Sequence, residues 1–276
     1  MGLDGRLVCR KGAKRMGKLK QKNRGFRMLC AELVKLRRTW ILWLHIIMPL
    51  TGIVIFLLYY RISGWSSWGK ISGYVEVVSV VCPTLVGFIC GLAADQEKQA
   101  GHFQNLLGTG QRRTANLSAK LCTLLLWNLA AVLVTIVGFG AGYYLFIERT
   151  AVPEMFYITV TGLIWISQIF TYCLHLFLGL RFSKGISIGA GIVESLLAAI
   201  LMTGLGDGIW QWIPCAWAGR FTGLYVQRAA GMDSAAWALA ESQMKTGGIM
   251  MAGITIAGIL LTYLWFHYYE GKRMED

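Results

Sequence analysis

The sequence predicts an all-helical polytopic membrane protein. It has six transmembrane helices, an amphipathic helix on the membrane surface near its N-terminus, and both termini in the cytoplasm. Three observations predict this. The 276 residues are 55% hydrophobic and only 15% charged, whereas ordinary soluble domains carry about 25% charged residues. Six stretches each hold about the 20 mostly apolar residues that a helical span needs, at a mean hydropathy of +0.52 for the chain. Finally, the 27 Lys and Arg residues fall unequally between the two sides that these stretches define. The formal net charge is +13, but the low charged fraction excludes a basic soluble nucleic-acid binder, a coiled coil or a disordered chain. No nucleic-acid partner is expected.

Residues 1–25 are basic, contain Gly and lack periodicity, which predicts a disordered extension. The membrane-spanning domain proper is residues 26–276. Residues 26–39 place Phe26, Leu29, Cys30, Leu33 and Leu36 along one side of a helix, with Arg27, Lys35 and Arg38 elsewhere around it. An apolar stripe beside cations predicts a helix lying in the inner membrane surface, against anionic lipid headgroups. The spans follow at about 40–60, 74–94, 121–147, 155–180, 186–204 and 247–269. None alternates with period 2, so a β-barrel is excluded. The basic region before Trp40 is too long for a signal-peptide n-region, and the first span is too long for an h-region.

Orientation follows from the basic residues, because cytoplasmic loops hold the excess of Lys and Arg. With the N-terminus inside, 21 of the 27 lie in inner segments and 6 in outer loops. The seven cysteines form no CxxC pair and show no metal-ligand spacing with His. They read as small buried hydrophobes rather than as a disulfide framework or a metal site.

The inner loop 95–120 reads DQEKQAGHFQNLLGTGQRRTANLSAK. Its middle can form a short helix with Phe103, Leu106 and Leu107 at spacing i, i+3, i+4. Glu97 and Gly101 precede that helix, and Gly108 and Gly110 follow it. An apolar helix side in a cytoplasmic loop must be buried against lipid or a partner protein, which a solvated connector would not require. Outside the membrane, neither the first 39 residues nor the outer loop at 205–246 can enclose a core of useful size. A membrane-embedded enzyme would need convergent catalytic groups at one depth, and the spans offer no HExxH, no paired Asp and no Ser/His dyad at helical spacing. The chain is expected not to be an enzyme.

The order Glu97, Gly101, Leu106-Leu107, Arg113, Lys120, preceded by Glu32, Lys35, Leu36 and Arg38, resembles the permease subunits of ABC-2-type transporters. More narrowly, QAGHFQNLLG (Gln99 to Gly108) and IPCAWAGR (Ile213 to Arg220) resemble the lantibiotic-immunity permeases of the MutG, EpiG and NisG kind. The general resemblance covers nearly the whole chain; the basic N-terminal extension departs from it. It implies a multi-pass protein of the bacterial plasma membrane and the ABC-2 permease fold. The loop after the second span would be a coupling helix seated in an ATPase chain, with Glu97, Gly101, Phe103, Leu106 and Leu107 as contact and shaping residues. It also implies two copies of an ABC ATPase, a second and unlike permease making a heterodimer, and a cationic peptide cargo expelled from the membrane to the medium. The alternative is an ABC-2 exporter for another drug, lipid or peptide. A P-loop requires GxxxxGK followed by Ser or Thr, and no such run occurs here. ATP and Mg are therefore expected in the partner ATPase, and no cofactor in this chain.

Two carboxylates fall within predicted spans. Glu194 lies in the middle of the fifth, and Glu76 near the outer end of the second. A charge in mid-bilayer is costly by a few kcal/mol or more and usually faces the bundle interior. Glu194 thus reads either as a cargo or gating group or as a neutral structural acid, and Glu76 either as functional or as solvated at the interface. His175, Asn128 and Gln168 read as interhelical hydrogen-bonding groups. Trp210, Trp212 and Trp217 at the outer boundary read as an aromatic belt or as part of a re-entrant segment meeting an amphipathic peptide. Farther on, Asp233-Ser234 is expected to cap a short helix that ends at Gly247-Gly248.

Overall fold

The computed structural model describes residues 28–35, 39–99, 113–149 and 152–269, and these are almost wholly helical. Residues 28–35 form α1. It is followed by α2 (Trp40–Ile62), α3 (Ser67–Gln99), α4 (Arg113–Phe146), α5 (Glu154–Ser167), α6 (Ile169–Arg181), α7 (Lys184–Leu201), α8 (Pro214–Ala229) and α9 (Ser234–Tyr268). Among the described residues, six spans are long and apolar enough to cross a membrane: α2, α3, α4, the α5–α6 pair, α7 and α9. The disordered extension expected for residues 1–25, like Gly101, Phe103, Leu106 and Leu107, lies outside the described residues.

α3 is the central helix, packing against α6, α7 and α8, while α2 leans on α4. One apolar cluster occupies the inner half, with Ile89, Cys90, Leu121 and Leu176 among its members. A second occupies the outer half around Tyr74, Phe139 and Val160. Within the spans, several hydroxyls are satisfied by their own helix, as hydrocarbon favours. Ser79, Thr123, Thr135 and Thr262 each donate to the carbonyl four residues back.

Closest approach occurs where α3 crosses α7. A Cβ added to Gly87 would lie 2.7 Å from the Ser187 carbonyl, and one added to Gly191 would lie 2.6 Å from the Pro83 carbonyl. The missing side chains let two backbones touch, the packing mode that membranes favour. Thr84 Oγ1 uses this approach to donate to the Gly191 carbonyl at 3.1 Å and to Ser195 Oγ at 2.8 Å. The fourth span is broken at Gln168, which separates α5 from α6 and donates its Nε2 to Cys82 Sγ at 2.9 Å.

The outer segment departs from expectation. Residues 205–246 are not an open loop: α8 packs against α3, α5 and α7, and two 3-10 turns, Gly204–Gly206 and Trp210–Trp212, lead into it. Pro214 begins α8, where a residue without an N–H costs no helical hydrogen bond. Asp233 caps α9 as expected, its Oδ1 accepting from the Ala235 and Ala236 amides at 2.9 Å. The helix then runs straight through Gly247-Gly248 instead of ending there. The Trp210 ring explains Gly247: a Cβ at that position would meet it at 2.6 Å. This glycine is a packing notch and not a helix stop.

Candidate functional site

The described residues of the segments assigned to the inner side converge at one end of the bundle. α1 carries Glu32 and Lys35, the last turn of α3 carries Glu97, and the first turns of α4 carry Lys120. Lys120 Nζ lies 2.9 Å from Glu97 Oε1 and 3.3 Å from Glu32 Oε2. Lys35 Nζ lies 2.6 Å from Glu32 Oε1 and 3.1 Å from Glu97 Oε1. The Glu97 and Lys120 side chains are only 1% and 2% exposed. Two cations and two anions thus form a neutral buried cluster. Burial of Lys35 works against its charge, but the Glu32 and Glu97 carboxylates outweigh it and hold the ammonium above the ordinary lysine value. α1 turns Glu32 inward and leaves Leu33 and Val34 exposed, free to meet the membrane surface.

The cluster straddles the connector 100–112, since Glu97 precedes it and Lys120 follows it. Of the two roles inferred for Glu97, its burial suits shaping: the carboxylate faces Lys120 and Lys35 rather than an approaching partner. Lys184 Nζ pairs with Asp95 at 3.0 Å and so joins the α6–α7 hairpin to the same end. Tyr269, just beyond α9, donates its hydroxyl to the Leu180 carbonyl at 3.0 Å. These contacts tie α1, α3, α4, α6, α7 and the end of α9 to one another.

Glu194 has a partner inside the membrane. Its Oε2 lies 3.4 Å from His175 Nε2, and His175 Nδ1 lies 3.3 Å from Ser187 Oγ, which donates to the Gly87 carbonyl at 2.9 Å. His175 is fully buried, while the Glu194 side chain remains 21% exposed at the bundle surface. Glu76 is exposed on the outer half of α3, with no ion-pair partner among the described residues. Glu194 and His175 stand apart in the sequence; the turn between α6 and α7 folds them together.

The three tryptophans separate. Trp212 is 61% exposed, but Trp210 and Trp217 are buried, so two of the three lie in a core beneath α8 and not in a belt. Trp217 donates its Nε1 to the Gln211 carbonyl at 2.9 Å, and Trp210 packs edge-on against Phe221. The bend made by the 3-10 turns folds these rings inward, which composition along the segment does not reveal. Arg220 pins the bend by donating to the Leu201 and Thr203 carbonyls and to Asp207.

The described residues form a polytopic helical bundle in which a buried ion cluster flanks residues 100–112. The family model described as ABC-2 family transporter protein matches residues 28–204, from the first residue of α1 to just past α7. The chain belongs to the ABC-2 family of transporter proteins. No curated protein matches it. It is a multi-pass protein of the bacterial plasma membrane and a membrane transport component, and its family implies partnership with an ABC ATPase.

Proposed function

We propose that this chain is the permease subunit of an ABC transporter that protects its own cell by expelling a lantibiotic from the membrane to the medium. It pairs with an unlike second permease and two ATPase chains, which hold the ATP and Mg; this chain holds no cofactor and performs no covalent chemistry. The observation that carries the reading is the buried ion cluster at both ends of connector 100–112. Such a brace lets movement of a coupling helix reach α3 and α4 as a rigid-body shift. By the family resemblance, Phe103, Leu106 and Leu107 are contact residues for the ATPase and Gly101 is a shaping residue. The subtype rests on the QAGHFQNLLG and IPCAWAGR segments. An exporter of another drug, lipid or peptide would use the same brace.

Leu107→Asp places a charge in the ATPase contact, at a cost of several kcal/mol where that contact is buried. The expected result is a chain that still inserts but no longer brings down the ATPase on purification. Normal ATPase recovery and full resistance to a cationic lantibiotic would refute the coupling role. A resistant wild type that exports a different amphiphile would favour the alternative cargo.

Glu194 acts in this proposal as a gating or cargo group, poised by His175. Glu194→Gln keeps size and hydrogen-bonding capacity and removes the charge. Loss of lantibiotic protection is expected, with expression and ATPase association intact. Protection that persists with Gln and vanishes only with Ala would identify a neutral structural group instead.

A further inference from the structure

At the inner end of the bundle, the last turn of α3 and the turn between α6 and α7 enclose a cavity of about 260 Å³. Its floor is tight. A Cβ added to Gly179 would lie 2.9 Å from Ala94 Cβ, so α6 and α3 close beneath it. Gly185 leaves room above, since a Cβ there would meet only Ser183 Oγ, at 3.8 Å.

The charges that line this cavity do not cancel. Asp95 is its one carboxylate, and the Oδ2 of that group already accepts from Lys184 Nζ at 3.0 Å and from Gln99 Nε2 at 3.1 Å. Lys98 also lines the cavity; it is exposed and has no ion-pair or hydrogen-bond partner among the described residues. Ser183 Oγ accepts from the Ile186 amide at 3.3 Å, which leaves its hydroxyl proton to donate. Arg181 stands alongside, its guanidinium 5.5 Å from the centre of the Phe182 ring. Two ammonium groups and one carboxylate leave an excess of positive charge on accessible space, with an unpaired lysine and a hydroxyl donor lining it. Such a lining suits an anion.

The place of the cavity narrows the choice of anion. It lies where the fourth span ends at Arg181 and the fifth begins at Lys184, on the side that gathers basic residues. Phe182 lines it and is 42% exposed, and Ile186, one turn on, is 48% exposed. An apolar surface thus adjoins the cations. A phosphodiester carrying acyl chains meets both, whereas a soluble phosphate uses the charges alone. Asp95 is doubly engaged and offers little to a headgroup ammonium, so the excess charge suits an anionic lipid better than a zwitterionic one.

We propose that this cavity binds the phosphate of an anionic phospholipid of the inner leaflet, with Lys98, Lys184 and the Ser183 hydroxyl as donors. The bound headgroup bridges α3 to the α6–α7 hairpin beside the Lys184–Asp95 pair. The site lies within one subunit and does not depend on the cargo proposed above. The full-length chain in detergent is equilibrated with equal amounts of phosphatidylglycerol and phosphatidylcholine of the same acyl chains, and the retained lipids are counted by native mass spectrometry. Phosphatidylglycerol is expected to be retained in preference. Lys98→Gln should weaken that retention about fivefold, the effect of one basic residue beside an anionic surface, and Lys98→Arg should keep it. Gly185→Leu fills the cavity without removing a charge and should weaken retention at least as much; both positions are exposed, so folding is not at stake. Lys245→Gln, in the outer turns of α9, should leave retention unchanged. Equal retention of the two lipids would overturn the proposal, as would phosphatidylglycerol retention that survives both Lys98→Gln and Gly185→Leu. Displacement of the lipid by millimolar inorganic phosphate would also overturn it and assign the cavity to a soluble anion.

Discussion

Lys120→Met should be among the most damaging single substitutions in this protein. It leaves Glu97, 1% exposed, with only the half-buried Lys35 to balance it, and one carboxylate oxygen, Oε2, already lacks a hydrogen-bond partner among the described residues. Removing one member of a buried ion pair costs about 3–5 kcal/mol because the remaining charge is uncompensated. The expected result is a large fall in the thermal midpoint of the purified chain in detergent. The pair Lys120→Met with Glu97→Gln should recover much of that loss, since no buried carboxylate is then left unbalanced, and the coupling between the two sites should exceed that of distant residues. A Lys120→Met protein as stable as wild type, or a double variant that merely adds the two losses, would show that the cluster is not a mutual brace. The same measurement bears on transmission, because this cluster ties α1 to the helices on either side of connector 100–112.

Gly191→Val should be the other severe change, for a steric reason. Its first added carbon would fall 2.6 Å from the Pro83 carbonyl and 3.2 Å from Thr84 Cα, backbone atoms that cannot rotate away. α3 and α7 must therefore separate, which breaks the Thr84 bonds to Gly191 and Ser195 and disturbs the Ser187–His175–Glu194 chain. Overpacking of this kind costs about 1–3 kcal/mol, occasionally more. Gly189→Val is the matched control, since a Cβ there meets nothing within 4 Å. Limited proteolysis and thermal melting should distinguish the two variants on the same helix. Equal behaviour would mean that the crossing is looser than its geometry indicates.

Glu97 and Glu194 illustrate how far the sequence reaches into the site. Both stand out as carboxylates in apolar or coupling segments, because charge in such places is costly wherever the chain goes. Which group each of them meets does not stand out. Lys35 and Glu97 are 62 positions apart, Thr84 and Gly191 are 107 apart, and nothing local to either member marks the other. The tryptophans show the converse error: three rings at a predicted boundary look alike in sequence, yet a bend over two 3-10 turns buries Trp210 and Trp217 and leaves Trp212 outside.

By itself the sequence determined the number of spans, the helical class, the side that gathers basic residues and the cap at Asp233. Each depends on composition or spacing within one segment, and transfer into hydrocarbon acts on segments one at a time. Only the tertiary structure decided that residues 205–246 hold a packed helix, that Gly247 receives a tryptophan ring, that Glu97 faces Lys120, and that Asp95 meets Lys184. Those outcomes depend on which faces of separate helices meet, and hydropathy averages over the faces of a helix, so it carries no record of them.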